Sequence, residues 1–318
     1  MDKNQSQNFS RRDVLKLGLG LSISPFLLSS ALDSHNSANN FDKQMEKRSI
    51  PGSGEMIPVV GLGTWRVFDA GNSKEKRATL LEVLKTLDQK GASVIDSSPM
   101  YGSSETVIGD LSTELNIRSK LFLATKVWTT GKEEGIQQMN QSFQKMGTGK
   151  MDLMQVHNLV DVQTHLKTLR SWKEEGKIRY IGITHYLPGE YPEMIRLIKN
   201  EKLDFIQCCY NIATRDAEKE LLPVARDKGV AVLINRPFRE GGLFNIVNGK
   251  ELPTWVKEYD INNWAQFFLK FILSHPAVTC VIPGTSNPSH MAENATAGMG
   301  KLPDEKTRNK MADHFKNL

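Results

Sequence analysis

Three observations predict an α/β fold of the (β/α)8 TIM-barrel class. From Ile50 onward, short apolar runs alternate with segments of helical period. Eight strand-like runs occur, enough to close a parallel sheet on itself with helices outside. Ionisable residues end three successive runs, at the face where such a barrel carries its chemistry. An open, doubly wound sheet is the alternative, but it places a glycine-rich turn after its first strand. Here the first run ends in "GLGTWR", which lacks a third glycine and starts no helix.

The elements follow in order. "VVGLGTW" (59–65) is the first strand, and Lys74 to Gln89 form the first amphipathic helix. "SVID" leads to a helix from about Glu105 to Glu114, "LFLATKV" to one near 133–146 and "MDLMQVHN" to one at 162–175. "YIGIT" precedes a helix at 189–200, "DFIQCCYN" one at 216–228 and "VAVLIN" one near 260–274, before "TCVIPG" completes the set. Gly, Asn or Asp stand at most junctions, where turns need them. The tail from Lys301 reads as one further, exposed helix. The barrel is thus expected over 49–318.

Composition bounds the function. The net charge of +5 is spread along the chain rather than gathered into a basic stripe, so nucleic acid is not an expected partner. Three cysteines, Cys208, Cys209 and Cys280, build neither a metal spacing nor a disulfide framework, and they read as small buried hydrophobes. No metal is expected. His165, His275 and His314 are expected on helical segments without partner spacing and read as structural. The expected state is a monomer acting on a small molecule.

The N-terminus differs in kind. Ser10 to Lys16, "SRRDVLK", precede an apolar stretch from Leu17 to Leu32 that carries Gly18, Gly20 and Pro25 and is short for a membrane span. This resembles a twin-arginine export signal over residues 1–32, with cleavage expected after Ala31. It implies the export machinery as a partner, a periplasmic location and no stable membrane insertion after cleavage; an uncleaved anchor is the alternative. Residues 33–48 are polar and read as a linker.

The strand ends carry the chemistry. The second strand ends at Asp96, the third at Lys126 and the fourth at His157, with Tyr101 on the loop after Asp96. Each alone has an ordinary explanation: a turn aspartate, a surface lysine, a satisfied core histidine. Together they form an acid–base group. A tyrosine hydroxyl is a reluctant proton donor with a pKa near about 10. A nearby ammonium favours its phenolate, and a carboxylate can hold that ammonium in place. A histidine opposite can orient a carbonyl oxygen while a proton is delivered to it. No side chain donates hydride, so a nicotinamide cofactor is implied.

These motifs resemble the aldo-keto reductases over nearly all of residues 50 to 300. The resemblance is carried by "GLGTW", by the run from Asp96 through "PMYGSSE", and by "LATKVW", "QVHN", "WKEEGKIRYIGIT", "FIQCCYN" and "VIPGTSNPSHMAENATA". It implies Tyr101 as general acid, Lys126 and Asp96 as its tuners and His157 as the carbonyl-orienting partner. It further implies reduction of an aldehyde or ketone with NADP(H), NAD(H) being the alternative. Gln207 stands where the family bonds the nicotinamide carboxamide. Gly284, Thr285, His290, Glu293 and Asn294 align with the segment that grips the adenosine end. The chain departs from the family pattern at three places. Thr184-His185 replace a Ser-Asn pair, Asn235 replaces an aromatic, and Gly284 and His290 replace the cations that often hold the 2'-phosphate. Arg236 or Arg239 is the expected substitute contact. Trp65, Met100 and Trp128 are expected at the substrate mouth, with barrel-rim packing as the plain alternative.

Two rival functions share the barrel. One is a non-catalytic nicotinamide-binding redox sensor or subunit, against which the complete tetrad argues. The other is a hydrolase using Asp96 with a second acid. A retaining pair needs carboxylates about 5 Å apart, and no second strand-end carboxylate is placed to pair with Asp96.

Overall fold

Residues 44–318 are described in a computed structural model; residues 1–43, on which the expected export signal and most of the expected linker fall, lie outside the described residues. The fold begins earlier than the linker boundary at 48 implied. Met45 is buried and bridges to Met299. The Arg48 guanidinium donates to the carbonyls of Leu273 (2.7 Å) and Val278 (2.5 Å), so residues that look like linker tie the chain to the barrel.

A hairpin absent from the sequence reading opens the structure: β1 (Lys47–Ser49) pairs antiparallel with β2 (Met56–Pro58). Its strands are only three residues long, too short to show an alternating pattern. Ile50 and Ile57 of this hairpin pack with Phe122, Tyr180 and Phe205 at the strand starts and plug that end of the barrel. Tyr180 and Arg179 also bond to Glu55 in the hairpin, and Arg179 reaches Asp152 at 2.6 Å.

The barrel then runs β3 (Leu62–Gly63), α1 (Lys74–Gln89), β4 (Val94–Asp96), α2 (Ser104–Glu114), β5 (Phe122–Val127), α3 (Lys132–Met146), β6 (Met151–His157) and α4 (Val162–Glu174). It continues with β7 (Ile178–His185), α5 (Tyr191–Asn200), β8 (Phe205–Cys209), α6 (Leu221–Asp227), β9 (Ala231–Asn235), α7 (Gly242–Ile246), α8 (Trp264–Leu273) and β10 (Cys280–Val281). Helices α9 (Pro288–Thr296) and α10 (Glu305–Lys316) complete it. The eight strands β3 to β10 are parallel and pair in chain order. Bridges Val60 to Val281 and Gly63 to Gly284 bring the two edges together.

Alternation along the strands sorts the core into two layers. Val94, Phe122, Ala124, Leu153, Phe205, Ala231 and Leu233 fill the barrel interior. Their neighbours Ile95, Leu123, Met154, Ile183, Ile206 and Val232 face the helices. The three cysteines are buried and free.

Several boundaries shift for local reasons. The helix expected at 216–228 starts as a 3-10 turn at Asp216–Glu218, and α6 begins at Leu221. Pro223 has no N–H to donate and is tolerated only in that first turn. Asp260 sits at φ 55°, and α8 begins only after Asn263, whose side chain caps Gln266 N–H at 2.8 Å. The C-terminal helix is not simply exposed. Arg308, Met311 and Ala312 of α10 are buried, and Phe315 meets Phe268 of α8 edge-on at 5.7 Å.

Candidate active site

The interior-facing positions turn polar where the strands end. Asp96 follows Val94 on β4, Lys126 follows Ala124 on β5, and His157 follows Gln155 and Leu153 on β6. A step of two residues keeps each on the inward face. Register sets Lys126 beside Gln155, His157 beside Thr184, and Thr184 beside Gln207.

Lys126 is wholly buried, and its Nζ donates to Asp96 Oδ2 at 2.6 Å and to the Ser97 carbonyl at 2.5 Å. The other carboxylate oxygen of Asp96 accepts from Gln155 Nε2 (3.0 Å) and Gln207 Nε2 (2.8 Å). Both oxygens are therefore occupied, as a buried charge demands. The ammonium lies 5.0 Å from the centre of the Tyr101 ring. Tyr101 meets His157 edge to face at 6.0 Å.

Electrostatics assign protonation. Burial pushes the Tyr101 hydroxyl above the ordinary tyrosine range; Lys126 pulls it down and Asp96 adds to the rise. The sequence suggested that the lysine would tilt Tyr101 toward phenolate. That pull exists, but desolvation outweighs it, so the resting group is a phenol. Burial works to lower Lys126, yet the Asp96 carboxylate beside it more than compensates, and the ammonium is held above its usual range. His157 is pushed down to about 3, by burial first and then by Lys126 and His185. The site therefore rests as protonated tyrosine, lysinium and neutral imidazole.

A cavity of about 900 Å³ opens over this group. Asp96, Tyr101, His157, Thr184, Gln207 and Asn235 line its inner part, and Trp65, Met100, Trp128 and Phe244 also line it. Arg236, Gly284, Thr285, His290, Glu293 and Asn294 line it as well. Lys126 stands behind the wall, reaching the cavity only through Tyr101 and Asp96. Trp128 and Met100 are exposed, whereas Trp65 is half-buried with Arg66 4.3 Å above its ring.

Gln207 and Arg236, both expected on the cofactor side, line the cavity and already have partners within the protein. The Gln207 amide is committed to protein: its nitrogen serves Asp96 and Gln155, and its oxygen accepts from Asn235 Nδ2 (3.1 Å) and Thr184 Oγ1 (3.4 Å). Arg236 lies 3.9 Å over the Tyr186 ring and pairs with Glu240 at 2.9 Å, so its charge is partly balanced within the loop after β9. Arg236, Arg239 and Glu240 all adopt positive φ, near 50–56°, a conformation uncommon without glycine. Arg239 is exposed and lies outside the cavity lining.

Sequence reading passed over Gln155, Ser98, Tyr186 and Arg66. For Gln155 the signal was present, since a residue two before His157 on one strand shares its face. Ser98, Tyr186 and Arg66 lie on loops, where no period reports direction.

The residues present fit a nicotinamide dinucleotide. The cavity runs from the tetrad to the start of α9, which is capped by Asn287, and such a helix end favours an anionic group. On the inner wall the Asn235 Oδ1 is buried without a partner among the described residues, an acceptor awaiting a donor such as a carboxamide N–H.

Comparison with known proteins agrees with this geometry. Residues 59–310 match the model of the Aldo/keto reductase family. Methylglyoxal reductase YeaE of Escherichia coli K12 is 28% identical over 262 residues, which cover 79% of this chain and 89% of that protein. Aldo-keto reductase YhdN of Bacillus subtilis is 29% identical over 233 residues, 68% of each chain. In fold, an aldo/keto reductase from Klebsiella pneumoniae, crystallised with NADP and acetate, superposes with a TM-score of 0.70 at 23% identity, over 86% of this chain and 95% of that one.

Proposed function

The chain belongs to the aldo/keto reductase family, and on that premise we propose that it reduces an aldehyde or ketone to the alcohol with NADP(H), Tyr101 supplying the proton. The observation that carries this reading is the buried Asp96–Lys126 pair beside a protonated Tyr101, with neutral His157 across from it. When bound, the nicotinamide supplies the hydride that reaches the carbonyl carbon. The chain's own groups handle the oxygen. His157 orients it by hydrogen bonding, and the Tyr101 hydroxyl donates its proton as negative charge develops there. Lys126 stabilises the phenolate left behind, and Asp96, fixed by Gln155 and Gln207, keeps the lysine charged and in place. Asn235 and Thr184 are the residues that would hold the reactive end of the cofactor, and the segment from Gly284 to Asn294 the adenosine end.

The aromatic and thioether side chains of Trp65, Met100, Trp128 and Phe244 suit a small, partly apolar carbonyl compound. A relative named as a methylglyoxal reductase makes a 2-oxoaldehyde the first compound to try. Purified protein mixed with NADPH and methylglyoxal should consume both in equal amounts and yield the hydroxy product. Absence of turnover across a panel of short aldehydes and ketones would overturn the reading.

We also propose that the folded chain is exported to the periplasm; the support is the Ser10–Lys16 sequence. Fractionation should find the wild type in the periplasm and an Arg11→Lys, Arg12→Lys double variant in the cytoplasm. Equal distribution of the two would refute export by this route.

A further inference from the structure

Ser98 lies between the strand-end aspartate and the catalytic tyrosine, and it touches both the loop and His157. The residue is fully buried. Its Oγ accepts the Met100 N–H at 3.5 Å, while its carbonyl accepts the Tyr101 N–H at 3.0 Å. The side-chain bond two residues along is the turn geometry that serine favours, and it bends the chain back over Asp96. The same Oγ is 3.2 Å from His157 Nδ1.

We propose that Ser98 is a positioning residue which fixes the tautomer of His157, so that the imidazole offers Nε2–H to the carbonyl oxygen of the substrate. The Ser98 oxygen already accepts from Met100, which can only donate. Among the described residues, the one acceptor its hydroxyl proton meets is His157 Nδ1. If Nδ1 carried the proton instead, the serine hydroxyl hydrogen would be buried without an acceptor, an arrangement that proteins avoid. With Nδ1 accepting, a neutral ring must carry its proton on Nε2. That atom makes no hydrogen bond to a described residue and is not among the enclosed orphan atoms, so it opens to the cavity that His157 lines. The neutral state of the ring agrees with its buried place beside Lys126. An acceptor nitrogen at that position would repel a carbonyl oxygen; a donor attracts it.

The catalytic consequence rests on the proposed reductase function, but the tautomer does not, and nitrogen-15 NMR reads it directly. Full-length protein labelled in histidine, with the His157 signals assigned by comparison with a His157→Gln variant, should show a single neutral Nε2–H form at pH 7. Ser98→Ala should show a mixture of the two neutral tautomers, with its fold checked by near-ultraviolet circular dichroism. Its kcat should fall on the order of tenfold, the rate equivalent of one lost neutral hydrogen bond, with little change in KM. A wild-type ring protonated on Nδ1, or a tautomer unchanged by Ser98→Ala, would overturn the proposal. A wild type that turns over no carbonyl compound but shows the Nε2–H form would refute the reductase reading and leave the tautomer assignment standing.

Discussion

At the residue scale, the site is a set of charges that burial has been made to tolerate. Lys126 keeps its proton inside the barrel because Asp96 sits 2.6 Å away and both carboxylate oxygens are bonded. Removing one member of such a pair strands the other and typically costs about 3–5 kcal/mol. Substitution of Asp96 therefore tests folding as much as catalysis. Protonation makes a cleaner prediction. His157 charges only as pH falls toward about 3, and Tyr101 loses its proton only above the ordinary tyrosine range. Between those limits both groups hold the state that reduction requires. The kcat for reduction should be flat between about pH 5 and pH 8, since an unperturbed histidine would titrate there near about 6.5. A drop in rate with a midpoint near that value would show that His157 is not held neutral.

At the element scale, the helices are fixed to the barrel by apolar faces and by a few close approaches. Gly109 of α2 is one of these: a Cβ there would collide with the Lys145 carbonyl oxygen near the end of α3. Arg118 clasps the same place, donating to the carbonyls of Gly109 and Gly147. Gly109→Ala should push the helices apart and destabilise the fold by about 1–3 kcal/mol, the usual cost of overpacking. NADPH affinity should hold, because neither residue lines the cavity. Unchanged thermal stability would mean that the contact is slack. Strands and long helices were legible here because burial imposes their period: α1 runs over Lys74–Gln89, as read from its sequence. The β1–β2 hairpin was not, since three-residue strands carry no period, and the starts of α6 and α8 depend on Pro223 and the Asn263 cap.

At the scale of the whole molecule, closure of the sheet turns positions scattered over much of the chain into one surface. Trp65 and Asn294 line the same cavity because Gly63 bridges to Gly284 where the first and last strands meet. A Cβ on Gly63 would lie 2.8 Å from the Ile282 carbonyl oxygen, so the seam itself depends on a missing side chain. Placement at strand ends made Asp96, Lys126 and His157 visible as a group in the sequence. The commitment of Gln207 to Asp96, the Arg236–Glu240 pair and the Ser98–His157 contact were not visible, because they depend on side-chain directions set by loops and by neighbouring strands. The division of labour proposed for this cavity is that Tyr101 protonates the substrate while the other lining residues bind the cofactor. It is tested most directly by comparing wild type with Tyr101→Phe for NADPH binding, by fluorescence, and for turnover of a short aldehyde. The variant should bind NADPH about as tightly as wild type and lose turnover by roughly 10²–10⁴-fold. A variant that reduces the aldehyde at the wild-type rate would contradict it.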